Sequence, residues 1–299
     1  MISNYPDFVP LDLGLREEIH PKLALTTDGL SEFTFSNLYL FRNRYHYKTS
    51  KGPDGELIIS GVSPIDNSKF FMIPCGFPGY DLLESLFKTH DYWKNIPSSL
   101  VESSNGSLPL RQHLEQQGIS ISEDRDNFDY LYHRTDLAAL SGKKFHKKKN
   151  QVNAFKKVWP DHKGQPLSPD LMPDALEVLE CWKRDKGEEG DYLAAKEALE
   201  LYTILELQGM VYYAGEKPVA YCMGESAVEG TIFSIHFEKA LDQYKGVYQY
   251  MNQAFAGSLP EGVTFINMEQ DLGDEGLRQA KMTYRPAGFV KKYRGEKHG

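Results

Sequence analysis

The sequence predicts two tandem domains of α+β or α/β class, each a mixed central sheet flanked by helices, on three observations. At 299 residues the chain is long for a single core and suits two of about 150 residues each. Each half sets apolar strand-like segments before alternating helical and strand-like ones. Between the halves, Pro160-Asp161-His162-Lys163-Gly164-Gln165-Pro166 has linker chemistry, with Pro, Gly and polar residues and no period. The expected domains are therefore residues 1–159 and 160–299.

In the first half, Leu57-Ile58-Ile59 and Phe70-Phe71-Met72-Ile73 read as paired strands, with Lys51-Gly52-Pro53-Asp54-Gly55 as the turn into the first. Leu82, Leu83, Leu86 and Phe87 share helical spacing, which predicts a helix from Asp81 to about Trp93. Ser98–Glu102 reads as a strand, and Leu110–Gln117 as a helix stopped by Gly118. Ile119–Ser122 and Phe128–His133 complete this half as short strands.

The second half opens with two helices. Pro173 and Asp174 suit a first turn ahead of the apolar stripe Ala175, Leu176, Leu179 and Trp182. Leu193, Ala194, Leu201 and Leu205 lie on the next helix. Strands follow at Met210–Ala214, Val219–Glu225 and Thr231–Glu238, joined by the turns at Gly215-Glu216-Lys217-Pro218 and Val228-Glu229-Gly230. A helix at Gly246–Ala256, a strand at Thr264–Met268, a helix near Glu275–Met282 and a strand at Gly288–Tyr293 end the chain. The shared order of elements in the two halves suggests a structural duplication without a sequence repeat.

Composition narrows the function classes. Hydrophobic residues make up 40% and charged residues 25%, an ordinary globular balance. The net charge of -8 argues against a protein that coats nucleic acid or an anionic membrane, but leaves room for a local basic site. The first residues lack the basic start and apolar run of a secretory signal, and no apolar run approaches the roughly 20 residues of a membrane helix. Cys75, Cys181 and Cys222 are few and far apart, which speaks against a disulfide framework. A cytoplasmic protein without integral membrane association is expected. No His-Glu-x-x-His or paired Cys-x-x-Cys is present, so no metal is expected.

The chemistry concentrates near the third strand of the second half. Strict alternation puts Ile232, Ser234, His236 and Glu238 on one face, with Phe233, Ile235 and Phe237 on the other. Glu238 or His236 can act as a base or fix a substrate amine; the alternative is a polar pair at the end of a strand. The strand runs into Gln243-Tyr244-Lys245-Gly246-Val247, a glycine turn opening a helix, where free N–H groups and the helix dipole favour phosphate. Glu269 and Asp271 leave the neighbouring strand at its C-terminal end, where open sheets hold ligands. They can hold a substrate amine, or Asp271 can cap the helix near Glu275. Lys281 and Arg285, placed one turn apart on the last helix, offer positive charge to a phosphate or carboxylate, or to Glu269 as an ion pair, Arg285 fitting a structural role better. Between Lys143 and Lys157 lie seven lysines, among them Lys143, Lys144, Lys147 and Lys148. They form either a contact for an RNA backbone such as a tRNA acceptor stem or a solvated helix face.

The order helix, helix, three strands, helix, strand, helix, strand is that of the GNAT acyltransferase fold. Gln243 and Gly246 match that superfamily's pyrophosphate loop, Q/R-x-x-G-x-G/A, while Tyr248 replaces its final small residue. A wider resemblance is carried by Ser31-Glu32-Phe33-Thr34-Phe35-Ser36-Asn37-Leu38-Tyr39, by Lys149-Asn150-Gln151-Val152-Asn153-Ala154-Phe155 and by Asn267-Met268-Glu269-Gln270-Asp271-Leu272-Gly273. Gly276-Leu277-Arg278-Gln279-Ala280-Lys281 and Tyr284-Arg285-Pro286 continue it. With these blocks the chain resembles the phosphatidylglycerol lysyltransferase C-terminal-domain family. The resemblance implies tandem GNAT-like domains related to aminoacyl-tRNA-dependent transferases, including Fem-type peptidyltransferases. The donor it implies is aminoacyl-tRNA, with acetyl-CoA as the alternative. The acceptor would be a small molecule or peptide-like amine or hydroxyl, and a non-catalytic ligand- or RNA-binding relative is the competing class. The long membrane region of the lipid-modifying enzymes is not in this sequence.

Overall fold

Helix signals in the sequence are met by real caps in the computed structural model, which describes residues 1–105, 108–187 and 190–298. Thr34 accepts from the Asn37 amide at 3.1 Å to open helix Phe35–Tyr45, and His46, in the left-handed region at φ 50°, closes it. The chain forms two units: residues 1–129 with 270–273 and 289–299, and residues 130–269 with 274–288. This moves the expected boundary at 159/160. The lysine-rich helix His146–Val158 belongs to the second unit, because Phe155 stacks on Tyr250 of helix Val247–Ser258 at 4.9 Å.

The first unit runs helix Arg16–Leu23, helix Phe35–Tyr45, strands Lys48–Lys51, Leu57–Val62 and Lys69–Met72, helix Tyr80–Phe87 and strand Tyr92–Pro97. Short helices Ser98–Glu102 and Leu110–Gln116 and strand Ile119–Glu123 follow. Two sequence readings are corrected here. The helix expected to reach Trp93 ends at Phe87, and Tyr92–Pro97 is a strand. That strand pairs with Lys69–Met72 on one side and Lys292–Lys297 on the other, and five of its six residues are buried. A strand covered on both faces shows no alternation, so its apolar residues read as more helix. Ser98–Glu102 is a helix rather than a strand; Asp28 accepts from the Ser99 amide at 2.9 Å and from both serine hydroxyls at its start. The core gathers Ile58, Phe71, Leu83, Leu86, Trp93 and Ile96, with Phe71 stacked on Trp93.

The second unit repeats the order: helices Met172–Lys186 and Tyr192–Glu200, strands Gln208–Ala214, Lys217–Ala227 and Ile232–Ala240, helix Val247–Ser258, strand Phe265–Asn267, helix Glu275–Met282 and strand Gly288–Val290. In both units three antiparallel strands lead, through a helix, to a parallel fourth: Phe70 pairs with Tyr92, and Phe233 with Ile266. Both are GNAT-like. Each sheet also takes one strand from beyond the other unit's stretch of chain. Asp129–His133 lies between Phe265–Asn267 and Gly288–Val290, while Lys292–Lys297 lies between Tyr92–Pro97 and Ile119–Glu123. The two inserted strands hold equivalent places, which makes the duplication one of topology.

The inserted C-terminal strand brings a charge into the first unit's interior. The ammonium of Lys292, fully buried, meets Glu32 and, at 2.7 Å, Asp129, whose carboxylate also accepts from the Ser31 amide and hydroxyl. Burial alone would push the Lys292 pKa down, but the two carboxylates outweigh it and hold the amine above its ordinary value. Lys292→Met leaves two buried carboxylates without their cation. It is expected to cost about 3–5 kcal/mol in urea denaturation at pH 7; a loss below about 1 kcal/mol would show that solvent reaches the cluster.

Candidate functional site

The second unit's site begins with a glycine. Gly224 sits mid-strand where any Cβ would collide with the carbonyl oxygen of Ser234, so no other residue fits without displacing backbone. Here the ladder slips: Met223 faces Phe237, but Gly224 faces Ile235, leaving His236 as the extra residue of a β-bulge. The bulge breaks the strict alternation expected along Thr231–Glu238 and sets His236 between two carboxylates. Nε2 lies 3.0 Å from Glu225 Oε1 and Nδ1 lies 2.8 Å from Glu269 Oε1. Burial would push the imidazole pKa down; the hydrogen bonds and charges of the two glutamates raise it to about 10. The ring is therefore an imidazolium at neutral pH with both nitrogens donating. With both nitrogens engaged by carboxylates, the ring is placed as a positioning group rather than as the base.

Glu269 is shaped for that contact. Its φ of 57° places it in the left-handed region, and its amide donates to Asn267 Oδ1 at 2.7 Å, a local turn that steadies the conformation. Lys281, on helix Glu275–Met282, donates to the main-chain carbonyls of Met268 and Glu269. It thus ties the helix to the end of the Phe265–Asn267 strand.

Glu238 is the unsettled group. It faces Cys222 across the ladder, and its Oε1 is sealed from solvent with no hydrogen-bond partner among the described residues. Burial pushes its pKa up to about 7, against the pull of Lys281 and then Lys239. Around it stand Tyr132, Tyr212, Tyr284 and Cys222; burial raises all four, and the negative charge of Glu238 adds to the shift. Tyr132 donates its hydroxyl to the Lys281 carbonyl at 2.9 Å, and Asn252 donates to the Tyr284 hydroxyl at 3.4 Å. Lys148 lies over the Tyr284 ring at 3.7 Å, its own pKa lowered to about 8 by burial and by Lys147. A carboxyl group that changes charge near neutrality beside a cation is suited to taking a proton from an amine or hydroxyl.

Other expected site residues go elsewhere. Asp271 is buried, taking Arg125 Nη1 at 3.3 Å on one oxygen and the Gly273 amide at 3.0 Å on the other, in the first unit. It does not cap the last helix; Asp274 does that, accepting from the Leu277 amide at 2.6 Å. Arg285 lies beyond helix Glu275–Met282, exposed and at φ 58°. At the glycine turn, Gln243 and Lys245 are exposed and Val247 is buried. Gly246, at φ 88°, abuts the backbone of Gln151, where a Cβ would strike the carbonyl oxygen. Packing of the lysine-rich helix thus accounts for this glycine without a phosphate. Along that helix and the turn before it, Lys144 pairs with Asp136 at 2.7 Å, while Lys143 and Lys147 are exposed. Sequence reasoning missed Glu225, Tyr132, Tyr284 and Asn252; an isolated glycine inside a strand, Gly224, was the available sign of a bulge. Among the described residues, no group of three or more His, Cys, Asp or Glu side chains is placed to hold a metal ion. Nor is any helix among them long and apolar enough to cross a membrane.

The tandem GNAT-like frame defines the fold class, and comparison with known sequences supplies the family. Residues 23–295 match the pattern described as phosphatidylglycerol lysyltransferase, C-terminal, and the chain belongs to that family. An uncharacterised protein of Mycoplasmoides gallisepticum is 24% identical over 178 residues, a match spanning 58% of this chain and 56% of that protein. Among solved structures, a conserved protein of unknown function from Bacteroides thetaiotaomicron is 29% identical over the whole of both chains, with a TM-score of 0.84. L-PGS from Bacillus licheniformis shares the fold at 15% identity, with a TM-score of 0.60 over 99% of this chain and 94% of that one. FemX does so at 8% identity, with a TM-score of 0.58 over 98% and 97%.

Proposed function

We propose that the chain is an acyltransferase that moves an aminoacyl group from aminoacyl-tRNA to an amine or hydroxyl acceptor, in the second unit's site. The observation that carries this reading is Glu238, a carboxyl group raised to about 7 with a sealed, unpartnered oxygen, close enough to Lys281 to feel its charge. In the proposed step Glu238 takes the proton of the acceptor N–H or O–H, and the freed lone pair attacks the ester carbonyl carbon. The Lys281 ammonium favours the developing oxyanion. The ester C–O bond then breaks, and the terminal ribose oxygen of the tRNA leaves with a proton returned by Glu238. His236, held by Glu225 and Glu269, fixes the bulge that aims Glu238. The exposed Lys143 and Lys147 are the proposed RNA contacts, without sequence preference. Membership of a family named for lysyl transfer supports an aminoacyl donor over acetyl-CoA, and so does the packing of Gly246 against helix His146–Val158.

Thermal unfolding with aminoacylated tRNA, uncharged tRNA and acetyl-CoA tests the donor, since a ligand that binds only the native state raises the midpoint. The expected result is a rise with charged tRNA, a smaller one with uncharged tRNA and none with acetyl-CoA. Equal rises with both tRNAs would favour an RNA-binding relative without turnover. A rise with acetyl-CoA alone would restore the acetyltransferase reading.

A further inference from the structure

The first unit carries a polar pocket of about 250 Å³ that plays no part in the site described above. Its wall holds three cations, Arg44, Lys94 and Arg294, and three carboxylates, Asp66, Asp124 and Asp126. Lys94 comes from the central strand Tyr92–Pro97, and Arg294 from the inserted strand Lys292–Lys297 beside it. The Lys94 ammonium has aromatic faces near it, Phe70 at 5.0 Å and Tyr45 at 5.2 Å. It makes no hydrogen bond or ion pair among the described residues. Burial lowers its pKa, with Glu32 and Asp124 pulling the other way. A half-buried ammonium without an acceptor is a place where an anionic ligand group would gain a charge-assisted hydrogen bond. Arg294 is held ready beside it, its guanidinium 3.5 Å over the Tyr92 ring and its Nε on Glu296 at 2.6 Å. Asp124 Oδ2 accepts from the side-chain Nδ2 of Asn127 at 2.9 Å.

We propose that this pocket binds a free α-amino acid, its carboxylate on Lys94 and Arg294 and its ammonium on Asp124. Lys94 and Asp124 in one pocket wall favour a ligand carrying both charges over a simple anion or cation. The volume admits a small amino acid. The proposal does not depend on the transfer reaction; it assigns the first unit a ligand of its own.

Isothermal titration of the full chain with glycine, L-alanine and L-serine tests it, with L-alaninamide, ethylamine and acetate as controls. At least one amino acid should bind, with every control at least tenfold weaker. Lys94→Met and Asp124→Asn should each weaken binding tenfold or more, while Glu238→Gln, at the other site, leaves it unchanged. The asparagine variant alters an oxygen to a nitrogen at the pocket wall, so it reports even if Lys94→Met fails to fold. Absence of binding by all three amino acids at about 10 mM would overturn the proposal. So would acetate binding as tightly as alanine, which marks a plain anion site. Binding lost in Glu238→Gln but kept in the pocket variants would place the ligand in the second unit and overturn it equally.

Discussion

Glu238→Gln is expected to abolish aminoacyl transfer and, above pH 7, to make the protein more stable than its parent. The two effects share one cause. A carboxyl group raised from 4.5 to about 7 is favoured in its neutral form by the fold. Between those two values the native state therefore binds more protons than the unfolded chain, and stability falls as pH rises. Above pH 7 the full penalty is present, on the order of 3 kcal/mol for a shift of this size; below pH 4.5 both states are protonated and it vanishes. Glutamine keeps the shape and cannot ionise. The stability difference between variant and parent should thus grow by about 2–3 kcal/mol from pH 4 to pH 8. Taking the change across pH cancels any fixed cost of packing the amide. Urea denaturation at the two pH values measures it, and transfer assays on the same samples supply the second readout. A difference that stays flat with pH would mean that Glu238 ionises normally, and the case for it as the base would fall. Glu238→Asp, which keeps the charge but retracts the carboxylate, should retain a trace of activity with its pH dependence intact.

The parts of this molecule legible in the sequence are those fixed by neighbours along the chain. Helix Glu275–Met282, the strand turn at Gly215 and the position of Glu238 just before a glycine turn all rest on local residue chemistry. What could not be read is set by partners far away. Asp271 looks like a strand-end ligand residue or a cap until Arg125, 146 residues earlier, is seen to occupy it. The start of the Tyr92–Pro97 strand reads as helix because this is a central strand, buried on both faces and paired along one edge by Lys292–Lys297 from the other end of the chain. Trp159 looked like the boundary because Pro160 and Gly164 follow it, yet the helix before it is held by Tyr250. In the sequence His236 and Glu269 stand as two independent candidates. Their joint role depends on a one-residue slip at Gly224 that only the ladder reveals.

That slip sets up the second large effect. His236→Ala should cost about 3–5 kcal/mol near pH 7–8, because it strands Glu225 and Glu269 without their shared cation. The dependence on pH has a definite shape. The imidazole pKa is raised from 6.5 to about 10, so its contribution is complete below 6.5 and is lost as pH rises through 10. The gap between parent and variant should therefore be widest below pH 6.5 and narrow as pH rises toward 10. Combining Glu225→Gln and Glu269→Gln with His236→Ala removes the unpaired charges, and it should recover much of the lost stability. It should not recover transfer, since the bulge would no longer be pinned. Nitrogen NMR of the parent gives a direct check: both ring nitrogens of His236 should remain protonated at pH 8. If the ring instead titrates near 6.5, the carboxylates do not clamp it, and His236 returns as a base in competition with Glu238.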